Sequence, residues 1–235
     1  AAATRETRLL SRSMSYRQEI KPGTNWVNYL RCHDDIGWSF DNSDARSVGI
    51  DPHGHRRFLN EFYSGRFPGT FARGVPFQYN PTTNDMRICG TTASLVGVED
   101  AVDRDDSLCL DMALRRARML YGVLMSAGGI PLIYMGEERG DLNDYAYRDD
   151  PDKAGDARWV HRPAVDWSRS TDEEPFFAII RDLAQARSAQ PALAGTAIEV
   201  LDTPSPHLLA FRRIAHGRNL LVVANFSERE IPISG

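Results

Sequence analysis

Two short apolar segments, each followed at once by polar residues, constrain the fold of this chain more than any other feature. The first covers residues 25–30 and is rich in aromatic and β-branched residues, which is typical of a buried strand. The second covers residues 130–135, and a long helical pattern separates the two. Strands that alternate with helices pair in parallel, so both strands should end at one edge of a sheet. That edge is where α/β folds place their functional groups.

Helical spacing of apolar residues predicts two further elements around the second strand. One helix is expected over 103–127, ending at Gly128, and another over 172–189. Thr171 and Glu174 fit a capping box that would open the second helix. The predicted order is therefore strand, helix, strand, helix, which favours an α/β class.

The remaining parts of the chain follow other patterns. Residues 39–101 are turn-rich with one short helix expected at 54–65, and a connection this long is either functional or a small inserted subdomain. From about residue 193 the sequence predicts an antiparallel β domain. Its short strands are expected at 198–201, 208–214 and 220–226, with a turn at 216–219.

Composition excludes several classes of protein. The 235 residues carry a formal net charge of −4, so there is no excess of positive charge to neutralise a nucleic-acid backbone. Mean hydropathy is −0.41, and no apolar run approaches the roughly 18 residues of a membrane span. Cys32, Cys89 and Cys109 have no paired spacing, so neither a disulfide framework nor a zinc motif is predicted. Free thiols favour a cytoplasmic location.

The polar cluster after the first strand has the chemistry of a sugar site. A carboxylate accepts hydrogen bonds and a neutral imidazole donates one, so His33 and Asp34 could together hold two adjacent hydroxyls. A fixed carboxylate can also stabilise a developing positive charge. The alternative is that Asp34 only caps a turn and His33 only packs, and these residues alone leave both open.

Longer strings around the two strands resemble a known family. Residues 25–38 resemble the seventh barrel strand of the α-amylase superfamily (glycoside hydrolase family 13), and residues 128–138 resemble its eighth, although Glu137 stands where many members have Asp. Four further strings narrow the resemblance to the amylosucrases and sucrose hydrolases. They are residues 71–81, Arg87 with Gly90-Thr91, residues 142–144 and residues 157–163.

The resemblance implies the C-terminal part of a (β/α)8 TIM barrel, with strands seven and eight, followed by an antiparallel β domain. It divides the chain into residues 1–38 (end of barrel helix six and strand seven), 39–101 (subdomain inserted after strand seven), 102–192 (helix seven, strand eight and helix eight) and 193–235 (start of a truncated β domain). The family reaction is a retaining double displacement that needs a nucleophilic Asp and an acid/base Glu. Both would lie upstream, so the chain alone is expected to be inactive without the missing N-terminal half of the barrel.

The resemblance also assigns roles to residues present here. Asp34 matches the carboxylate that stabilises the transition state, and His33 matches the adjacent sugar-binding histidine. Asp35 and Arg87 match residues on the fructosyl or acceptor side, and Arg158 matches an arginine that pairs with an upstream Asp and closes the pocket. Arg56 and Gln78 match further acceptor-side positions. No cofactor is implied, and no calcium-loop spacing predicts a metal.

Other candidate residues are given structural roles. Glu137 and Glu138 are expected to support the barrel rim, and His161 to lie behind Arg158. Three aromatic side chains of the insertion, Phe58, Phe62 and Phe71, are assigned to packing, and three arginines, Arg115, Arg116 and Arg118, to a solvated helix face. Two histidines, His207 and His216, are expected to be exposed.

The implied function is glucosyl transfer from sucrose to an α-1,4-glucan acceptor with release of fructose, or hydrolysis of sucrose. Two alternatives remain open from the sequence. One is another enzyme of the superfamily, such as a trehalose synthase or an α-glucosidase. The other is a non-catalytic barrel that binds sugar or assembles subunits.

Overall fold

The computed structural model describes residues 1–16, 20–21, 23–168, 170 and 174–233. The helices are α1 (Arg8–Ser15), α2 (Asn42–Ser47), α3 (Pro52–Tyr63), α4 (Thr92–Val96), α5 (Val98–Asp103), α6 (Ser107–Ser126) and α7 (Pro175–Ala189). The strands are β1 (Val27–Asn28), β2 (Val75–Asn80), β3 (Asp85–Cys89), β4 (Ile130–Pro131), β5 (Ile198–Leu201), β6 (Leu208–Ala215) and β7 (Arg218–Asn225). None of the helices in these ranges has the length and apolar character of a membrane span.

Strands β1 and β4 form the parallel pair that the sequence predicts, but each is much shorter than expected. Val27 lies opposite Ile130 and Asn28 opposite Pro131, and the amide of Ile130 donates to the carbonyl of Trp26 at 2.7 Å. Within the described residues each strand has only the other as a neighbour. One further backbone hydrogen bond continues this pair, from the Leu132 amide to the Asn28 carbonyl at 2.8 Å.

Helix α6 begins later than the sequence predicts, because an acidic turn interrupts the pattern. Helix α5 ends at Asp103, and Asp105 has a φ of 51°. The Asp106 carboxylate then caps α6 by accepting the amides of Leu108 and Cys109 at 3.1 and 3.0 Å. The predicted single helix over 103–127 is thus wrong at its start and right in its body.

Helices α6 and α7 enclose the main apolar core. Tyr121 and Leu124 of α6 pack with Phe176 and Ile179 of α7, and all four side chains are buried. The predicted helix over 172–189 is observed from Pro175, and the expected capping residue Thr171 lies outside the described residues. This core fixes the position of the segment after β4.

The inserted region is a helical layer with one antiparallel hairpin, β2–β3. Its aromatic side chains pack on one another, as expected for three of them. The Phe62 ring lies edge-on to that of Phe71 at 4.9 Å, and Phe58 lies edge-on to Phe67 at the same distance. The insertion thus has a small core of its own.

One of the three arginines expected in solvent instead packs against the insertion, with its side chain 11% exposed. The Arg116 guanidinium stacks over the Phe71 ring at 3.6 Å and donates to the carbonyl of Val96, whereas Arg115 and Arg118 are exposed. Arg116 faces α4 because α4 and α5 fold back against α6, which helical spacing cannot reveal. Its long stem covers apolar surface while the charged end finds a carbonyl.

The C-terminal sheet has the predicted antiparallel order β5–β6–β7. Phe211 and Leu209 of β6 are fully buried and pack with side chains that include Leu10 of α1 and Val123 of α6. Arg213, also fully buried, donates to the carbonyl of Ser126 at 3.1 Å. A cation at the carboxyl end of α6 is favoured by the helix dipole, and it ties the sheet to the α/β part.

The parallel pair is not closed into a barrel within the described residues. Val27, Tyr29 and Ile130 remain about half exposed, at 51, 51 and 53%. A cavity of about 700 Å³, lined largely by apolar side chains that include Leu30 and Leu120, opens between α1, the segment around β1 and α6. An uncovered apolar surface of this kind is typical of a site that other polypeptide covers.

Candidate functional site

The loop that follows β1 brings Asp34 against Arg158, 124 residues further along the chain. The Arg158 Nη1 donates to Asp34 Oδ1 at 3.0 Å, and the Asp35 amide donates to the same oxygen at 3.1 Å. These donors hold the pKa of Asp34 below its usual range, chiefly through Arg158. Since 51% of the Asp34 side chain remains exposed, it is an ionised carboxylate that an incoming hydroxyl can reach.

Arg158 is itself held in place by Asp156. The Arg158 Nε lies 2.9 Å from Asp156 Oδ1 and Nη2 lies 2.8 Å from Oδ2, a bidentate pair. Asp156 also accepts the Arg158 amide at 3.0 Å, which caps the 3₁₀ turn over 157–161. The family resemblance implied an upstream partner for Arg158, whereas the described partners, Asp34 and Asp156, belong to this chain.

His161 lies buried behind this pair, as the sequence analysis expected. Its Nδ1 accepts the Gly90 amide at 3.0 Å, and its Nε2 lies 3.1 Å from the His33 carbonyl oxygen. Burial, followed by the charge of Arg31, lowers the pKa of His161 to about 4. The Arg162 Nε donates to the same His33 carbonyl at 2.7 Å.

A buried ion pair connects the loops that follow β1 and β4. The Arg31 Nε donates to Glu137 Oε1 at 2.7 Å, and the two side chains are only 3 and 4% exposed. The Tyr121 hydroxyl donates to the other Glu137 oxygen at 2.6 Å. Both Glu137 oxygens are thus occupied by protein donors, which agrees with the expected supporting role of Glu137.

Asp35 and Arg87 form a looser pair beside Asp34. Their closest charged atoms lie 3.7 Å apart, and burial followed by the charge of Asp34 raises the pKa of Asp35. Arg87 lies on β3 opposite Phe77. The guanidinium lies close against Gly37, where an added Cβ would overlap it.

Two of the residues proposed from the sequence do not join this group. The Arg56 guanidinium donates to the carbonyls of Trp38 and Phe40 at 2.9 and 2.8 Å, so it holds the start of the insertion. Gln78 is exposed on β2, with a φ of 50°, where the pairing register shifts. Its neighbour Phe77 is the side chain that meets Arg158, with 5.2 Å between the guanidinium carbon and the ring centre.

Several residues of the site were missed by sequence reasoning. Asp156 could have been found from its position two residues before Arg158, which is the spacing of a capping carboxylate. Arg31 and Arg162 carry no such signal, because their partners are distant in sequence. In the described part of the chain, no group of three or more His, Cys, Asp or Glu side chains is placed to hold a metal ion.

The arrangement as a whole can bind a polyhydroxylated ligand. It presents two carboxylates, two guanidinium groups and an imidazole from the loop after β1, from β3 and from the 3₁₀ turn over 157–161 (His33, Asp34, Asp35, Arg87 and Arg158). Carboxylates accept hydrogen bonds from hydroxyls and guanidinium groups donate to ring and glycosidic oxygens. The ionised Asp34 can also stabilise a cation that forms next to it.

Comparison with known proteins finds similarity over part of the chain and a similar fold. No family model matches the chain. Over 123 residues it is 29% identical to the α-amylase MalA of Haloarcula japonica, a match that covers 50% of this chain and 16% of that protein. The fold is similar to that of the sucrose 6F-phosphate phosphorylase from Thermoanaerobacter thermosaccharolyticum, with a TM-score of 0.66, 14% identity, and coverage of 96% of this chain and 40% of that one.

The chain is therefore distantly similar in sequence to an α-amylase over about half of its length. The described residues have a mixed α/β fold that resembles part of the phosphorylase structure, with a C-terminal antiparallel sheet and no closed barrel. The chain spans 16% of the curated relative and 40% of the similar structure, well under two thirds of either.

Proposed function

We propose that this chain forms part of the active site of a retaining glucosyl-transferring enzyme that acts on sucrose. The observation that carries the proposal is the ion pair of Asp34 and Arg158 beside His33 and the Asp35–Arg87 pair. The distant relationship to an α-amylase and the shared fold support the same reaction class.

In this proposal Asp34 stabilises the positive charge that develops on the glucosyl ring, and it holds ring hydroxyls together with His33. Its ionised state at neutral pH follows from its lowered pKa. Asp35 and Arg87 lie on the side from which the fructosyl group leaves and an acceptor enters. Arg158, fixed by Asp156, closes the far end of the pocket.

The nucleophile and the acid/base residue are assigned to polypeptide outside this chain. Glu137 is buried in an ion pair, and Asp156 is engaged by Arg158. The free edges of β1 and β4 support this assignment, because within the described residues each strand has one neighbour and one edge on which a further barrel strand could pair. The 235-residue chain alone is therefore expected to release neither glucose nor fructose from sucrose.

The experiment uses the complete natural polypeptide that contains this chain and measures glucose and fructose released from sucrose. Asp34→Asn keeps the shape and removes the charge, so kcat should fall by at least about 100-fold, as when a group that stabilises transition-state charge is lost. Asp103→Asn, at the exposed end of α5, is the matched control and should leave kcat unchanged. Equal activity of the Asp34→Asn variant would refute the proposal.

A second measurement concerns the acceptor side. Arg87→Ala removes a guanidinium that is 48% exposed next to Asp35. Because glucan acceptors compete with water for the same intermediate, polymer yield should fall several-fold more than sucrose consumption. An unchanged product ratio would remove Arg87 from the acceptor side.

An α-glucan donor is the second candidate, and the α-amylase relative favours it. Parallel incubation with sucrose, maltose and starch separates the two. If maltose or starch is turned over and sucrose is not, the donor is an α-glucan. If these sugars bind and none is turned over, the protein is a non-catalytic sugar-binding module.

A further inference from the structure

One imidazole joins three distant segments around the candidate site. The ring of His161 accepts from the Gly90 amide, which follows strand β3 of the insertion, and it contacts the His33 carbonyl in the loop after β1. Its own segment is the 3₁₀ turn over 157–161. His161 is 1% exposed, so neither nitrogen depends on solvent for a partner.

The hydrogen-bond partners fix which nitrogen carries the proton. Since the Gly90 amide can only donate, Nδ1 must be the unprotonated nitrogen. The proton then lies on Nε2, which donates to the His33 carbonyl at 3.1 Å. The imidazole is neutral in this arrangement, in agreement with its burial.

The same short turn reaches the β1 loop at two points. Residues three apart in a 3₁₀ helix lie on one face, and Arg158 and His161 have this spacing. Arg158 donates to the Asp34 carboxylate, and His161 donates to the carbonyl of His33, the residue before Asp34. Arg162 adds a second donor to that carbonyl at 2.7 Å. Asp34 is therefore held at its carboxylate and at the carbonyl of the peptide that precedes it.

We propose that His161 is a positioning residue for Asp34, which fixes the His33–Asp34 peptide through Nε2 and ties it to the inserted subdomain through Nδ1. The inference rests on the proposed function for its catalytic consequence. The geometric part of the proposal does not depend on the reaction: it says that the His161 imidazole positions Asp34 to pair with Arg158.

Two amide substitutions separate the two contacts. In His161→Gln the amide nitrogen replaces Nε2 and can still donate to the His33 carbonyl. In His161→Asn the shorter amide can accept from Gly90 only. A purely structural role predicts the same effect for both variants, whereas positioning through Nε2 predicts different ones.

The first readout is the pKa of the Asp34 carboxyl, followed by NMR of carbon-labelled aspartate in the complete natural polypeptide and assigned with Asp34→Asn. His161→Asn should raise this pKa toward that of a free aspartate, because the carboxylate is no longer held on Arg158. His161→Gln should keep it low. Equal values for wild type and His161→Asn, or equal shifts in both variants, would overturn the proposal.

The second readout is kinetic. With sucrose, His161→Asn should lower kcat at least tenfold with KM changed less than twofold, and His161→Gln should stay within threefold of wild type. If the wild-type polypeptide turns over no sucrose, the proposed function fails, and the NMR comparison still decides the positioning role.

A further variant keeps the test valid if His161→Asn does not fold. Arg162→Ala removes the second donor to the same carbonyl from a partly exposed side chain, and it should raise the Asp34 pKa by a smaller amount. Arg148→Ala is the matched control, because Arg148 is exposed and stacks on Tyr145. A folded Arg162→Ala variant without any shift would count against the proposal.

Discussion

At the scale of single residues, the candidate site combines exposed charges with buried supports. Asp34 and Arg87 are about half exposed, as their proposed role in binding requires, whereas Arg31, Glu137 and His161 are almost completely buried. The sequence identified the exposed residues Asp34 and Arg87 through the short sequence motifs that contain them. It could not show that Arg31 meets Glu137, because 106 residues separate them and neither position has a local signature.

The buried pair gives a clear prediction for stability. Arg31→Leu leaves Glu137 charged in a site that excludes water, so the free energy of unfolding should fall by about 3–5 kcal/mol. Arg115→Leu breaks the exposed pair with Asp111 and should change it by less than about 1 kcal/mol. Urea denaturation of both variants measures the difference, and equal effects would contradict the importance of burial.

At the scale of elements, the strands and helices follow the local pattern while their limits follow their neighbours. The body of α6 and all three C-terminal strands were predicted from periodicity. The two parallel strands are shorter than predicted. The sequence pattern indicates which residues can form a strand, but backbone hydrogen bonds to a neighbouring strand decide how many of them do. Gly129 shows how close the contact is, because a Cβ there would lie 2.5 Å from the Trp26 carbonyl oxygen.

Gly129 is therefore expected to resist substitution. It has a φ of +80°, and an added methyl group would push β1 away from β4. Gly129→Ala should lower the free energy of unfolding by more than about 1 kcal/mol. Gly155→Ala, where nothing lies within 4 Å of the added Cβ and φ is not positive, should be close to neutral. Thermal unfolding of the two variants checks the prediction.

At the scale of the whole molecule, the described residues form one α/β part with a C-terminal sheet packed against it. The packing of β6 against α1 and α6 and the buried Arg213 bind the two together. The uncovered faces of β1 and β4 and the 700 Å³ cavity mark the side on which the proposal places further polypeptide.

The stability of the whole molecule should depend on pH through His161. Its pKa is about 4 in the folded chain against an ordinary histidine value of 6.5, so the unfolded state binds the proton first as the pH falls. The contribution of the neutral His161 to the free energy of unfolding is thus fully present above pH 6.5. It is lost as the pH falls from 6.5 to about 4, and it amounts to at most about 3 kcal/mol.

Denaturation midpoints measured from pH 7.5 to pH 4 test this dependence. His161→Gln has no titrating ring, so its slope over this range should be smaller than that of the wild type. The lowered pKa values of Asp34 and Asp156 act in the same direction, but only at lower pH, where carboxylates become protonated. Identical slopes in the two proteins would assign the dependence to other groups.

The sequence by itself determined the order of elements, the parallel relation of β1 and β4, the antiparallel C-terminal sheet and the polar residues at the strand end, because periodicity and strand-end clusters are local properties. Only the tertiary structure decided which charges meet. It paired Arg158 with Asp34, packed Arg116 against Phe71 and tied Arg56 to the carbonyls of Trp38 and Phe40. The physical reason is that ion pairing and burial depend on distances between segments far apart in the chain, which no local pattern encodes.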